Sequence, residues 1–238
     1  MILMNFEKLN KIKIFCGNKS LLKIIEERPF PIFSKNVISL FKELSENLLK
    51  SKKIKHYPDL ATFAFFCREK NISRLSNQYK IHLKDRCGRG LALHFTPSNV
   101  PLNFAYSLFF SLISGNATLI RIGDNNYKQS KILLNILELL LKKKIHTKLK
   151  KKISIINYDK KSQVTDFLSK KCEIRIIWGG DNSINEIRKS QLSAKAYEMT
   201  FPDRYSICII SSNNFIKSKK FKFEALNFYN DSLTFDQN

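Results

Sequence analysis

The sequence predicts an α/β fold, a parallel sheet with helices on both faces, preceded by a helical amino-terminal segment. Three observations lead there. From Leu91 onward short apolar runs alternate with stretches of helical spacing, as in a chain that crosses one sheet strand by strand. Apolar residues fill 43% of the 238 positions and aromatic ones 12%, enough to cover a sheet twice. The first eighty or so residues lack the alternation and read as helices, which divides the chain into a helical amino-terminal segment over 1–85 and an α/β domain over 86–238.

In the helical segment, Asn36 to Lys50 places Ile38, Leu40, Phe41, Leu44, Leu48 and Leu49 near a period of 3.6, and Asp59 to Glu69 repeats the pattern with Phe63, Phe66 and Cys67. The second part then reads as strand Leu91 to Phe95, helix Leu102 to Ser114, strand Ala117 to Arg121, helix Gln129 to Leu141 and strand Ile153 to Ile156. It continues with helix Gln163 to Leu168, strand Ile174 to Trp178, helix Ser183 to Lys189 and strand Tyr205 to Ile210. Ligands of such sheets gather at the carboxyl ends of the strands, and the two sharpest loops, Thr96 to Pro101 and Gly179 to Ser183, both fall there. No Gly-x-Gly-x-x-Gly phosphate loop is present.

The first of these loops carries the most chemistry. Pro97 and Pro101 fix the backbone on either side of Asn99, whose amide is thereby presented outward, and an amide held in that way stabilises an oxyanion.

Charge and cysteine usage narrow the classes. The formal charge is +22, from 42 Lys and Arg against 20 Asp and Glu, which raises a basic nucleic-acid-binding protein as the alternative of another class. Only 9 of the basic residues are Arg, and the abundance of Lys, Ile, Asn and Phe is what an A+T-rich coding sequence produces, so the excess reads as a solvated surface. The runs Lys142-Lys143-Lys144 and Lys148 to Lys152 flank a helix end, where cations suit the dipole. The aromatic residues fall in the apolar phases, and no nucleic-acid-binding module appears, so nucleic acid is not expected as a partner. Five cysteines, Cys16, Cys67, Cys87, Cys172 and Cys208, form no Cys-x-x-Cys pair and have no His at ligand spacing, which argues against disulfides and zinc. No signal peptide or membrane span is legible, and a cytoplasmic setting is expected.

Several motifs occur in a fixed order: Tyr57-Pro58-Asp59-Leu60, Phe66-Cys67-Arg68, the Pro97-Ser98-Asn99-Val100-Pro101 turn after its strand, and Gly115-Asn116 before the next. Trp178-Gly179-Gly180-Asp181 and Phe201-Pro202-Asp203-Arg204-Tyr205-Ser206 follow. Together they resemble the long-chain acyl-CoA reductases of the bacterial bioluminescence type, a branch of the aldehyde dehydrogenase superfamily, from about Pro29 to the last residue. The resemblance implies an aldehyde-dehydrogenase-like variant Rossmann sheet, which lacks the ordinary glycine-rich loop, and makes 86–238 the dinucleotide-binding domain. It also implies NADPH-dependent reduction of long-chain acyl-CoA or acyl-protein thioesters to fatty aldehydes through an acyl-cysteine intermediate.

On that resemblance Asn99 is the oxyanion donor, Thr96, Pro97 and Ser98 form a backbone wall beside the nicotinamide ribose, and Arg121 lies over the adenosine ribose, where a cation also suits a 2′-phosphate and favours NADPH over NADH. The plainer reading of Arg121 is a strand-end surface charge. Trp178, Gly179 and Gly180 match the step beside the pyrophosphate, whereas Asp181 reads as a helix cap. His94, alone on an apolar strand, reads as a core residue, and Cys208 as part of a buried strand. Glu198 and Glu224 are acidic residues without an assigned role.

The family's cysteine follows shortly after an Asp-Gln step; Phe235-Asp236-Gln237-Asn238 matches the approach and the sequence stops before it. The expectation is an amino-terminal part that carries the cofactor site and lacks the nucleophile and the catalytic domain, completed by a complementary chain carrying the cysteine. An inactive truncated remnant is the alternative. The resemblance further implies an acyl-activating or acyl-transferase partner and an oligomer.

Overall fold

The computed structural model describes residues 12–83, 85–123, 127–159, 163–204 and 207–232. Met1–Pro202 forms one compact unit and Asp203–Asn238 a second.

The first unit is built on a six-stranded sheet in the order β1-β4-β3-β2-β5-β6. Its strands are β1 (Lys13–Gly17), β2 (Leu91–Phe95), β3 (Ala117–Arg121), β4 (Ile153–Asn157), β5 (Ile174–Trp178) and β6 (Tyr197–Phe201). Five run parallel, and β1 lies antiparallel on the edge of β4 with a bulge between Ile14 and Cys16. The helices of this unit are α1 (Leu21–Ile25), α2 (Lys35–Lys50), α3 (Pro58–Phe66), α4 (Glu69–Leu83), α5 (Asn103–Ile113), α6 (Lys128–Leu141), α7 (Thr147–Lys151), α8 (Val164–Lys171) and α9 (Asp181–Arg188). The sheet is therefore mixed α/β and mostly parallel, as the alternation predicts.

Alternation along the central strands sorts the two faces. Leu91, Leu93 and Phe95 of β2 join Leu119, Ile177 and the apolar residues of α1, α8 and α9 in one cluster. Ile120 of β3 faces the other way, into a larger cluster with α2, α3, α5 and α6, in which Phe41, Phe63 and Phe109 are fully buried. The helices before β2 thus supply one of the layers that cover the sheet. Phe41, Phe66, Phe109 and Phe110 form a chain of edge-to-face and tilted ring pairs there, the arrangement ring quadrupoles favour.

Two strands differ from the sequence reading. The helical segment contains β1, whose partner is about 140 residues away in the chain, a pairing no local period reveals. The last strand is Tyr197–Phe201 rather than Tyr205 to Ile210. Tyr205 and Ser206 lie outside the described residues, and Ile207 to Ile210 form no strand; Ile209 is 86% exposed. An apolar run becomes a strand only beside a free ladder, and the ladder along β5 is taken by the alternating Tyr197–Phe201. Cys208 is accordingly exposed, not buried in a strand.

The second unit contains α10 (Ser212–Ser218) and α11 (Phe221–Ser232), joined through Lys219 in the left-handed region, with the Phe215 and Phe221 rings 5.2 Å apart. Glu224 lies half-buried in α11.

Candidate functional site

The chain passes from β2 through α5 to β3, through α6 and α7 to β4, and then returns by α8 to β5 on the other side of β2. The winding reverses between β2 and β5. In open parallel sheets the crevice outside that reversal, at the carboxyl ends, is where ligands bind. The loop after β2 is Thr96 to Pro101, and the loop after β5 is Gly179 and Gly180.

The first loop is clamped at both ends. The backbone N–H and the hydroxyl of Thr96 both donate to the Arg121 carbonyl at 3.2 Å, and Ser130 Oγ donates to the Pro101 carbonyl at 2.7 Å. Between the clamps Ser98, Asn99 and Val100 are exposed and Pro97 is half-buried. With its hydroxyl committed to the backbone, Thr96 contributes shape rather than a free donor.

Arg121 closes β3 beside this loop. Its Nη2 donates to the Tyr158 carbonyl at 3.3 Å, and its guanidinium sits 5.3 Å from the centre of the Tyr158 ring, a cation–π distance. Burial pushes the Tyr158 phenol up to about 12, and its oxygen shares a 3.0 Å hydrogen bond with Thr165, so that ring is a fixed neutral platform. One nitrogen of Arg121 is thus occupied while the side chain remains half-exposed.

On the other side of the loop, Trp178 and Phe201 stack 3.9 Å apart and 9° from parallel at the ends of β5 and β6. Gly179 has φ +152°, and its N–H donates to the Phe201 carbonyl. A side chain there would be strained by that backbone and would press on Ser183 Cβ at 3.4 Å. Gly180 is the residue that caps α9, and Asp181 is the first residue inside the helix rather than its cap. A carboxylate in the first turn favours the helix dipole whatever else it does.

Register brings these pieces together: Phe95 lies opposite both Arg121 and Ile177, so Thr96, Arg121 and Trp178 end three adjacent strands. Strands in a sheet lie about 4.8 Å apart. Asn99, Thr96, Pro97, Ser98, Arg121, Trp178, Gly179 and Gly180 therefore share one edge. Tyr158, the platform under Arg121, had no motif to announce it; Phe201, which stacks on Trp178, was read as the first residue of the Phe201-Pro202-Asp203-Arg204-Tyr205-Ser206 motif and not as the end of a strand.

The remaining candidates fall elsewhere. His94 is buried in β2 and its ring is driven down to about 3 by desolvation, which leaves it neutral. Glu198 points into the opposite layer. Burial raises its carboxyl, but hydrogen bonds from Arg188 Nε at 2.7 Å and Arg175 Nε at 2.8 Å outweigh this and hold it low. A carboxylate so committed is an ion-pair partner rather than a base. Arg175, 3% exposed, also reaches Ser169 and the carbonyls of Ile187 and Ser190, so its charge is fully surrounded.

Burial pushes up the thiols of Cys16, Cys67 and Cys172, the last to about 12. Cys87 and Cys172 precede β2 and β5 and so lie at the far edge of the sheet, roughly 16 Å away across five-residue strands. Phe235 to Asn238, the approach to the expected cysteine, lie outside the described residues. Among the described residues no group of three His, Cys, Asp or Glu could hold a metal, and no helix is long and apolar enough to cross a membrane.

The family model of the acyl-CoA reductases (LuxC) matches residues 69–238. No curated protein matches the chain by sequence. Among solved structures, aldehyde dehydrogenase 21 from Physcomitrella patens superimposes with a TM-score of 0.57 at 12% identity, over 82% of this chain and 45% of its own. An aldehyde dehydrogenase from Bartonella henselae gives 0.56 at 14% identity, over 91% and 46%. Proline utilization A from Corynebacterium freiburgense gives 0.57 at 11%, over 83% and 20%. At such identities the likeness is one of fold, and the chain spans less than half the length of each.

Proposed function

Because the chain belongs to the acyl-CoA reductase (LuxC) family, we propose that it forms the cofactor half of an oxidoreductase that reduces acyl-CoA or acyl-protein thioesters to fatty aldehydes with NADPH. The observation that carries this reading is the convergence of the Thr96–Pro101 loop, Arg121 and the Gly179–Gly180 step on the reversal point of the sheet.

The residues fit a dinucleotide. Gly179 leaves the backbone bare where a phosphate would approach, and α9 begins two residues on, at Asp181, where a helix's first turn has N–H groups without intrahelical partners. Arg121, braced on Tyr158, keeps donors for a ribose or its 2′-phosphate, which favours NADPH. When bound, the reduced nicotinamide supplies a hydride to the carbonyl carbon of the acyl group.

The chain's own part is to orient and to stabilise. A thiolate displaces the thiol of the thioester and keeps the acyl group as a new thioester. The tetrahedral oxyanion of that step accepts a hydrogen bond from the Asn99 amide, which its clamped loop holds outward in advance. Reduction of the acyl-cysteine by the hydride, with one proton taken up, then releases the aldehyde and restores the thiol. The cysteines of the first unit are buried or stand at the starting ends of the strands, and the thiol is not assigned to any of them.

Trp178 is the only tryptophan of the sequence and flanks the site, so its fluorescence reports occupancy directly. Titration with NADPH quenches it, and NADH does so more weakly. Arg121→Gln reduces the preference for NADPH about tenfold, or ~1.4 kcal/mol. Unchanged emission at millimolar NADPH would remove the cofactor reading, and an unaltered preference in Arg121→Gln would return Arg121 to a surface charge.

A further inference from the structure

Behind the Asn99 loop, between α5 and the sheet, four buried polar atoms have no protein partner: both ring nitrogens of His94, Ser107 Oγ and Asn103 Oδ1. His94 and Ser107 are 2% and 4% exposed. They are not scattered. Asn103, Ser107 and Ser111 recur every four residues and so share one side of α5. That side faces the sheet, because Ser111 and Thr118 of β3 exchange a buried 2.7 Å hydrogen bond.

Register extends the pairing. Thr118 lies opposite Ala92 and Ile120 opposite His94, and both pairs point to the α5 side, since Leu91, Leu93 and Phe95 occupy the other face. One step of four residues back along α5 rises about 6 Å, and one step of two residues along β2 covers about the same distance. Ser107 therefore lies level with His94, and Asn103 one step beyond it, at the base of the loop.

A neutral imidazole offers one donor and one acceptor, serine offers both, and an amide oxygen accepts. These capacities complement one another, yet none is used within the protein. Buried polar groups are satisfied almost without exception, and where protein groups do not meet, ordered water with two to four partners does so. We infer that an internal water site lies between β2 and α5, joining His94 to Ser107 and Asn103. It spans the base of the Thr96–Pro101 loop from the strand that enters it to the helix that leaves it, and His94 acts there as a positioning residue. The inference does not depend on what the outer side of the loop binds.

Magnetic relaxation dispersion of water oxygen-17 counts long-lived internal waters in solution. The unaltered protein is expected to hold at least one more than His94→Leu, and His94→Gln, which keeps a donor and an acceptor, is expected to retain it. Equal counts for the unaltered protein and His94→Leu overturn the inference, as does a high-resolution crystal structure in which His94 bonds Ser107 directly. Should His94→Leu fail to unfold cooperatively, Ser107→Ala reads the same site: loss of a long-lived water supports it and an unchanged count overturns it.

Discussion

The two edges of the parallel sheet solve opposite problems. At the edge where the strands start, side chains from distant segments stitch the backbone shut: Glu173 accepts from the Leu91 N–H at 2.6 Å, Asn116 from the Arg89 N–H at 2.8 Å, and Lys152 binds both Glu27 and the Arg28 carbonyl. Phe30, Gly88 and Gly115 cross there by backbone hydrogen bonds so close that a Cβ on Gly115 would strike the Phe30 carbonyl. At the edge where the strands end, the loops are clamped only at their roots, and Asn99 and the start of α9 are left available. Tight closure at one edge permits availability at the other, because groups that bind a ligand are groups the fold leaves unsatisfied.

The sharpest way to break this contrast is Gly115→Ala. It adds a methyl group against backbone at φ +80° and is expected to cost about 3 kcal/mol or more, read as a lower denaturant midpoint at unchanged slope. A near-neutral result would mean that the starting edge is looser than its crossings imply. Arg175→Met, which strips a buried charge from Glu198 and leaves Ser169 and two carbonyls without their donor, comes next at about 3 kcal/mol. If Arg188 alone satisfied Glu198, the loss would be much smaller.

His94 gives an effect of intermediate size whose sign can be worked out. Its folded pKa is depressed from 6.5 to about 3, so below pH 6.5 the unfolded chain takes up a proton that the native state refuses. Stability therefore falls as pH drops through that window, by about 1.4 kcal/mol per unit. His94→Gln abolishes this component, which urea melts at several pH values resolve; an unchanged pH profile would assign the acid sensitivity to other groups. The smallest expected change is the most informative about the ending edge. Asn99→Ala, on an exposed residue, alters stability by less than about 0.5 kcal/mol. On the proposed function, the same change is expected to lower thioester reduction by the enzyme about 10²- to 10³-fold. Comparable losses in both would make Asn99 a structural turn residue.

Much of the fold was legible because its signals are local. The runs from Leu91, Ala117, Ile153 and Ile174 are short, apolar and separated by helices, and each is a strand. Pro97 and Pro101 marked the loop, and the spacing of Leu40, Phe41, Leu44 and Leu48 marked α2. What stayed hidden depends on partners remote in sequence. Lys13–Gly17 is a strand only because β4 offers an edge, and Ile207 to Ile210 is not one because β6 has already taken the edge of β5. In the site, Asn99 and Gly179 could be read from loop chemistry, whereas the Tyr158 ring beneath Arg121 exists there only after folding, as does, away from the site, the three-way tie of Arg175, Glu198 and Arg188.

The long reach of β1 also sets a timetable. Lys13 pairs with Asn157, so during synthesis the first strand emerges about 140 residues before its partner does. At about 5–20 residues per second it waits roughly 7 to 30 seconds beside the ribosome with Phe15 and Cys16 unplaced. The parallel strands β2 and β3 and their crossover α5 can assemble during that interval. β1 then joins β4 at one side of the sheet before β5 and β6, which follow in the chain, complete the other.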